Sequence, residues 1–389
     1  MKASDICVPV AMQLVLDDIG WMKGRDERDR EEPSRTGVPR AHVLADYEVV
    51  EALGKALNQK INTMLVIGEW DKNARLKNAT YSNKWGKNWD PTPFLNLPEQ
   101  EKIRDFVNSA EHIEFGFHGL LHDLFYEEKN ICGQEFAWPE NMVKGAPRSL
   151  APEWFLREHF TIFYEILKDW DFKKTIRSFA CPGGGKSYML SGVMTSVLKD
   201  YDIRFWHNHI PAKTIAQFEE HVPSLLQNGI LIHSKMIEIC PWEAYDLDPE
   251  ILPDIPLEKA GIVGGHWVNL LRYNPARNLE RVESWAAYFN RQAETFGIIL
   301  SRDVEFAHYQ QYYHYRTDIK EENGKIILDL SRCDKNHPAS SLPNLYVSIQ
   351  KGVPQPRCQG GTIRRYEERG NFINYEIVRD GSSTIVLEA

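Results

Sequence analysis

Leu14-Val15-Leu16-Asp17-Asp18-Ile19-Gly20 is an apolar run that stops on two adjacent carboxylates and a glycine. A short apolar run bounded by a turn signal reads as a buried strand, here Met12 to Leu16. Both acids then stand at its C-terminal end. In α/β sheets and barrels that end is where chemistry sits, because loops vary there while the sheet holds the geometry. Two aspartates in sequence also suit a helix cap beside a solvated loop residue. What separates these readings lies further along the chain.

Around that strand, apolar strands alternate with helical patterns. A polar, arginine-rich insert runs from Lys23 to Arg40 and leads to a helix near Leu44 to Gln59. A second strand, Asn62 to Ile67, ends on Gly68-Glu69-Trp70-Asp71, again delivering an acid and an aromatic. The long loop from Lys72 to Pro98 holds Tyr81, Trp85, Trp89 and Phe94 among polar residues, and loops of this length are usually functional or disordered. Its tryptophans suit either a sugar-stacking wall or plain packing. Further strands are expected at Ile113 to Phe117, Thr175 to Ala180, Ile203 to Trp206, Gly229 to His233, Gly261 to Gly265 and Gly297 to Leu300, with an amphipathic helix from Leu279 to Phe296. Repeated β-then-α order predicts parallel crossovers, hence a barrel or an open parallel sheet. After Thr317 the pattern changes to short alternating strands with hairpin turns at Arg369-Gly370 and Asp380-Gly381. The expected division is an α/β domain over 1–316 and a small antiparallel β domain over 317–389.

Composition bounds the function. A chain of 389 residues exceeds what one core usually supports. Its net charge of -9 argues against nucleic acid, whose phosphates require basic surface. No run approaches the roughly 18 apolar residues of a membrane span. Met1 to Asp5 has no apolar stretch, so the expectation is a cytoplasmic protein, or a periplasmic or secreted one whose signal has been removed. The six scattered cysteines form no CxxC pair and read as reduced thiols.

Phe117-His118-Gly119-Leu120-Leu121-His122-Asp123 follows the third strand. Two histidines four apart share one face of a helical turn, so both can address one ion. Two imidazoles and a carboxylate, with coordination positions left open, are what a hydrolytic metal site requires. Asp18 is the expected third ligand, leaving Asp17 as a base.

These motifs resemble the polysaccharide deacetylases, the NodB-like or carbohydrate esterase family 4 superfamily, over roughly residues 5 to 300. The strand-end pair matches Asp17-Asp18, and the His-x-x-x-His motif matches His118 to His122. The resemblance implies a distorted (β/α)7 barrel with Asp17 as general base and Asp18, His118 and His122 as ligands of one divalent ion, zinc first, with cobalt, nickel or iron as alternatives. It implies a deacetylase acting on a small-molecule or oligosaccharide substrate. The family's Pro-Gly loop is similar to Phe179-Ala180-Cys181-Pro182-Gly183-Gly184, where Ala180 stands in place of the usual arginine. Either another arginine, Arg35 or Arg40 from the first insert, then substitutes for it, or activity is altered. The late strand-end histidine that protonates the leaving group matches His266, with His233 as competitor. Trp70, Pro182, Gly183, Trp206 and His207 are the expected substrate-lining residues, and a homo-oligomer is compatible with all of this.

Two other classes remain open. Ala180 to Ser187 fits a relaxed phosphate-loop pattern, so an NTPase would use Gly183 to Ser187. A carbohydrate-binding relic would keep the barrel and lose catalysis.

Overall fold

The computed structural model describes residues 1–25, 36–184, 187–208, 224–234, 239–240, 244–256, 260–335 and 342–388. Among them one nine-stranded sheet organises the molecule. Its strands are β1 (Ala11–Ile19), β2 (Ile61–Val66), β3 (Ile113–Gly119), β4 (Ser178–Phe179), β5 (Phe205–Asn208), β6 (Ser224–Gln227), β7 (Ile230–Ser234), β8 (Ile262–His266) and β9 (Ile299–Leu300). The order is β6-β7-β5-β4-β3-β2-β1-β8, with β9 pairing the first residues of β1. All pairs are parallel except β6 with β7. Every residue of β1 is buried, as a parallel strand covered on both faces should be.

Helices α1 (Ala45–Leu57), α2 (Leu97–Ser109), α3 (Glu153–Asp169), α4 (Gly192–Asp200), α5 (Val282–Phe296) and α6 (Val304–Arg316) follow the strands as the β-then-α pattern predicts. The sheet curls into a half-barrel. No pair joins β7 to β8 among the described residues; α6 instead packs against β1 on one side of that opening and β5, β6 and β7 on the other. Leu279, expected in the amphipathic helix, lies in the 3-10 segment Pro275–Arg281 ahead of α5 and is 54% exposed.

Beyond α6 the chain is antiparallel. One four-stranded sheet joins Asp318–Glu322, Lys325–Asp329, Thr384–Glu388 and Arg357–Gln359. The other joins Leu345–Gln350, Phe372–Arg379 and Gly361–Arg369, and takes its fourth strand, Ile6–Cys7, from the N-terminus. One apolar cluster ties Ile6 and Val8 to Tyr312 and Tyr313 of α6 and to Ile326, Leu345, Ile377 and Leu387. All six cysteines are free. No helix among the described residues is long and apolar enough to cross a membrane.

A line of buried histidines joins α6 to the sheet. His233 Nδ1 lies 2.7 Å from His308 Nδ1, His308 Nε2 lies 3.3 Å from His207 Nδ1, and His207 Nε2 lies 3.4 Å from the Met64 thioether. Burial, with Arg316 and His207 adding repulsion, pushes His233 down to about 3. Burial and the other two histidines push His308 well below its ordinary value. In the unfolded chain both return to about 6.5. Between those values the unfolded chain binds protons that the folded chain refuses, so stability is full above about 6.5 and falls as the pH drops. Urea denaturation at pH 7 and pH 5 is expected to show a loss on the order of 2 kcal/mol from His233, with His308 adding to it in the same direction. A His308→Asn variant with the same pH slope as wild type would sink this assignment.

Candidate metal centre

Two β-bulges build the site. Pairing of β1 with β2 runs Leu16 to Thr63 and then Ile19 to Leu65, so the Asp17-Asp18 step carries an extra residue. Pairing of β2 with β3 runs Leu65 to Phe117 and then Val66 to Gly119, so His118 is extra there. Bulges re-aim side chains. A regular strand would turn Asp17 and Asp18 to opposite faces. Instead Asp18 takes a left-handed φ of 68°, a conformation aspartate tolerates better than most residues, and its carboxylate meets His118 and His266. The loop beyond is clamped from β2's end: the Trp70 indole donates to the Gly20 carbonyl at 2.8 Å, and the Glu69 carboxylate accepts from Met22 and Lys23 N–H at 2.7 and 2.8 Å.

Three imidazoles converge on Asp18. Its Oδ1 is 3.3 Å from His118 Nε2 and 3.9 Å from His122 Nε2, and its Oδ2 is 3.7 Å from His266 Nε2. One ligand atom from each of Asp18, His118 and His122 falls within 4.8 Å of the others. The far side of each ligand is held. The Thr36 hydroxyl donates to Asp18 Oδ2 at 2.9 Å. His118 Nδ1 lies 2.8 Å from the Ala180 carbonyl, which can only accept, so Nδ1 carries a proton and Nε2 is the ring atom turned to Asp18. His122 Nδ1 lies 3.1 Å from Asp123 Oδ1, and Asn130 donates to Asp123 Oδ2 at 2.7 Å. A carbonyl or carboxylate behind a ligating histidine is the usual device that fixes tautomer and ring. An imidazole nitrogen facing a carboxylate oxygen is satisfied by a proton between them or by a metal ion that takes the proton's place.

Without a metal ion, protonated imidazoles balance the buried carboxylate. Burial raises the Asp18 carboxyl, but the His118 hydrogen bond and the charges of His122, His118 and His266 outweigh it and hold the group well below the carboxylate range. Burial depresses His122, yet the Asp123 hydrogen bond and the carboxylates of Asp18, Asp123 and Glu135 push it up to about 9.

The histidine pair does not ride a helical turn, as its spacing predicts. His118 is in β3 and His122 in the turn beyond it, at φ 67°. The two rings still meet, with centroids 5.4 Å apart. Asp17 is buried and in parallel register with His266. His233, the competing acid, lies in β7 and belongs to the buried histidine line that meets α6 at His308.

Several expected lining residues are packing residues. Trp70 is 1% exposed and meets Trp170 edge to face at 5.3 Å. Trp206 is fully buried, its indole donating to Asn208 Oδ1 at 2.7 Å, and His207 is fully buried beside His308. Trp89 donates to Asp71 at 2.9 Å and stacks on Phe94 at 5.2 Å, so this part of the aromatic loop is a small core, not a sugar wall. Pro182 is buried and packs towards Gly119, while Gly183 is exposed. Asn208 grips this loop, accepting from the Cys181 N–H at 2.6 Å and donating to its carbonyl at 3.0 Å. The Gly184 N–H turns back to Cys181 at 3.3 Å.

Arg40 does not substitute for the motif arginine. All five of its N–H donors are engaged, by Asp46 and by the carbonyls of Ala41, Arg272 and Tyr273. Arg35 lies outside the described residues, as do Gly185 and Lys186 of the phosphate-loop pattern. The helix that such a loop should open begins only at Gly192. Thr36, Asn130 and Asn208 carry no signal in the sequence; Asp123, directly after His122, does.

No family model and no curated protein matches the sequence. Among solved structures, one described as "Crystal structure of Agd3 a novel carbohydrate deacetylase" matches with a TM-score of 0.51 at 9% identity. The match takes in 98% of this chain but 65% of that one, so this chain spans slightly less than two thirds of its length. At that identity the likeness is one of fold. Over nearly its whole length the chain has the fold of that structure.

Proposed function

We propose that the chain is a metal-dependent hydrolase that removes N- or O-acetyl groups from a carbohydrate. The observation that carries this reading is the convergence of Asp18, His118 and His122, each anchored from behind. The fold likeness to a carbohydrate deacetylase supports it. Two imidazoles and one carboxylate fit zinc, and also cobalt, nickel or iron. Asp18, His118 and His122 would hold the ion, which when bound supplies Lewis-acid polarisation and draws the pKa of water down to about 7.

The remaining steps belong to the chain's own groups. Asp17, buried beside the ligand Asp18, takes the proton of the attacking water on its carboxylate. His266 is 3.7 Å from Asp18 Oδ2, which supports its role of carrying a proton on Nε2 to the departing nitrogen or oxygen. A backbone N–H of the loop from Pro182 to Gly184 steadies the developing oxyanion; Pro182 has none and that of Gly184 is engaged by the Cys181 carbonyl, which leaves Gly183. Ala180, where the family has arginine, is the one feature that favours a non-catalytic carbohydrate binder.

Elemental analysis of protein purified without a chelating column is expected to find one equivalent of divalent ion in wild type and none in His118→Ala. Acetate release from N- and O-acetylated oligosaccharides is expected for wild type only. Metal missing from both proteins would overturn the metal reading. Stoichiometric metal with glycan binding but no acetate release would leave the binder.

A further inference from the structure

The turn that brings His122 round to His118 has positive φ at both ends, 115° at Gly119 and 67° at His122. Such a turn does not hold itself. Glu135 spans it from the side. Its carboxylate Oε2 accepts the Leu120 N–H at 2.8 Å, and its own N–H donates to the His122 carbonyl at 2.8 Å. The fit is close: a Cβ on Gly119 would stand 2.4 Å from that same Oε2 and 3.2 Å from Pro182. Behind Glu135 stands His159 on α3, whose Nδ1 is 2.6 Å from Oε1 and whose Nε2 is 3.0 Å from the Thr80 carbonyl. Glu158, the next residue back on α3, accepts the Thr80 N–H at 2.8 Å, which fixes that carbonyl in turn. Glu135 and His159 are both 0% exposed.

A fully buried carboxylate is costly unless several donors satisfy it. Folding alone has cheaper ways to close a turn, and this one closes on a ligand at each end.

Resting on the metal-site reading above, we propose that Glu135, backed by His159, is the positioning residue that sets how the His118 and His122 imidazoles face one another. It touches neither ion nor substrate. It acts through the backbone of Leu120 and His122. Support of this kind at a metal ligand typically changes affinity by about 10- to 100-fold.

Glu135→Asp withdraws the carboxylate by one methylene, so it cannot reach Leu120 and His159 together. Glu135→Gln keeps the length: its carbonyl oxygen still accepts from Leu120, and its amide can donate to His159 Nδ1 once His159 donates from Nε2 to Thr80. Zinc affinity, by competition with a chromophoric chelator on the folded protein, is expected to fall about 10- to 100-fold in Glu135→Asp and to recover in Glu135→Gln. In metal-free protein, amide exchange is expected to quicken at 118–123 in the Asp variant while α3 and β1 keep wild-type rates. Wild-type affinity and local exchange in Glu135→Asp would overturn the proposal. Equal loss in both variants with exchange quickened throughout would also overturn it, showing a general structural role. If wild type itself takes up no zinc, the metal reading fails separately, and the local exchange still decides whether Glu135 holds this turn.

Discussion

Asp18→Asn is expected to abolish stoichiometric metal binding while leaving the fold in place. The substitution keeps shape and one acceptor oxygen. The Thr36 hydroxyl, 2.9 Å from Oδ2, can serve as donor or acceptor and so tolerates either orientation of the amide. What disappears is the charge. Asp18 is ionised throughout the working range because His118, His122 and His266 outweigh its burial, and it is the only carboxylate among the three ligand candidates. Losing a group behind a ligand already costs about 10- to 100-fold in affinity, so losing the anionic ligand should cost more than about 100-fold. Acetate release should fall with it. Chelator competition and elemental analysis measure the first effect, and thermal melts of both metal-free proteins check the fold. A metal content equal to wild type in a folded Asp18→Asn protein would remove Asp18 from the centre and the centre from the mechanism.

Why Asp18 and not its neighbour was legible in part. A strand that ends on two acids, and a histidine pair after another strand, place the ligands at one end of the sheet by topology alone. The bulges were not legible. They depend on how β1 and β3 register against β2, and no single strand's sequence carries that information. The four-residue histidine spacing suits a helical turn, but a tight turn with positive φ at Gly119 and His122 satisfies it equally. The aromatic residues are ambiguous for a related reason. Trp70, Trp89 and Trp206 sit near strand ends or in a polar loop, where composition suggests a platform. Each has its indole N–H bonded inside the protein and its ring in the core. The direction of a loop side chain is set by long-range packing, not by its neighbours in sequence. The same holds for Glu135 and His159, which are far apart in sequence and meet behind the ligand turn.

The second large effect separates the paired acids. Asp17→Asn is expected to lower acetate release by about 10²- to 10⁴-fold, the usual contribution of a positioned proton acceptor, while metal content stays at the wild-type level. The two aspartates are adjacent, both buried, and alike in chemistry. The bulge makes them different. Asp18, at φ 68°, faces the histidines, whereas Asp17 keeps strand register with His266 across the β1–β8 pair. An amide at Asp17 cannot accept a proton from water at neutral pH, but it leaves Asp18, His118 and His122 untouched. Rate and metal content should therefore part company in Asp17→Asn and fall together in Asp18→Asn. His266→Asn gives the complementary test: if it carries the proton to the leaving group, its effect should be larger for acetamides than for acetate esters of phenols, whose leaving groups depart without protonation. Loss of metal from Asp17→Asn as complete as from Asp18→Asn would make Asp17 a ligand, and the base would then have to be sought elsewhere in the half-barrel.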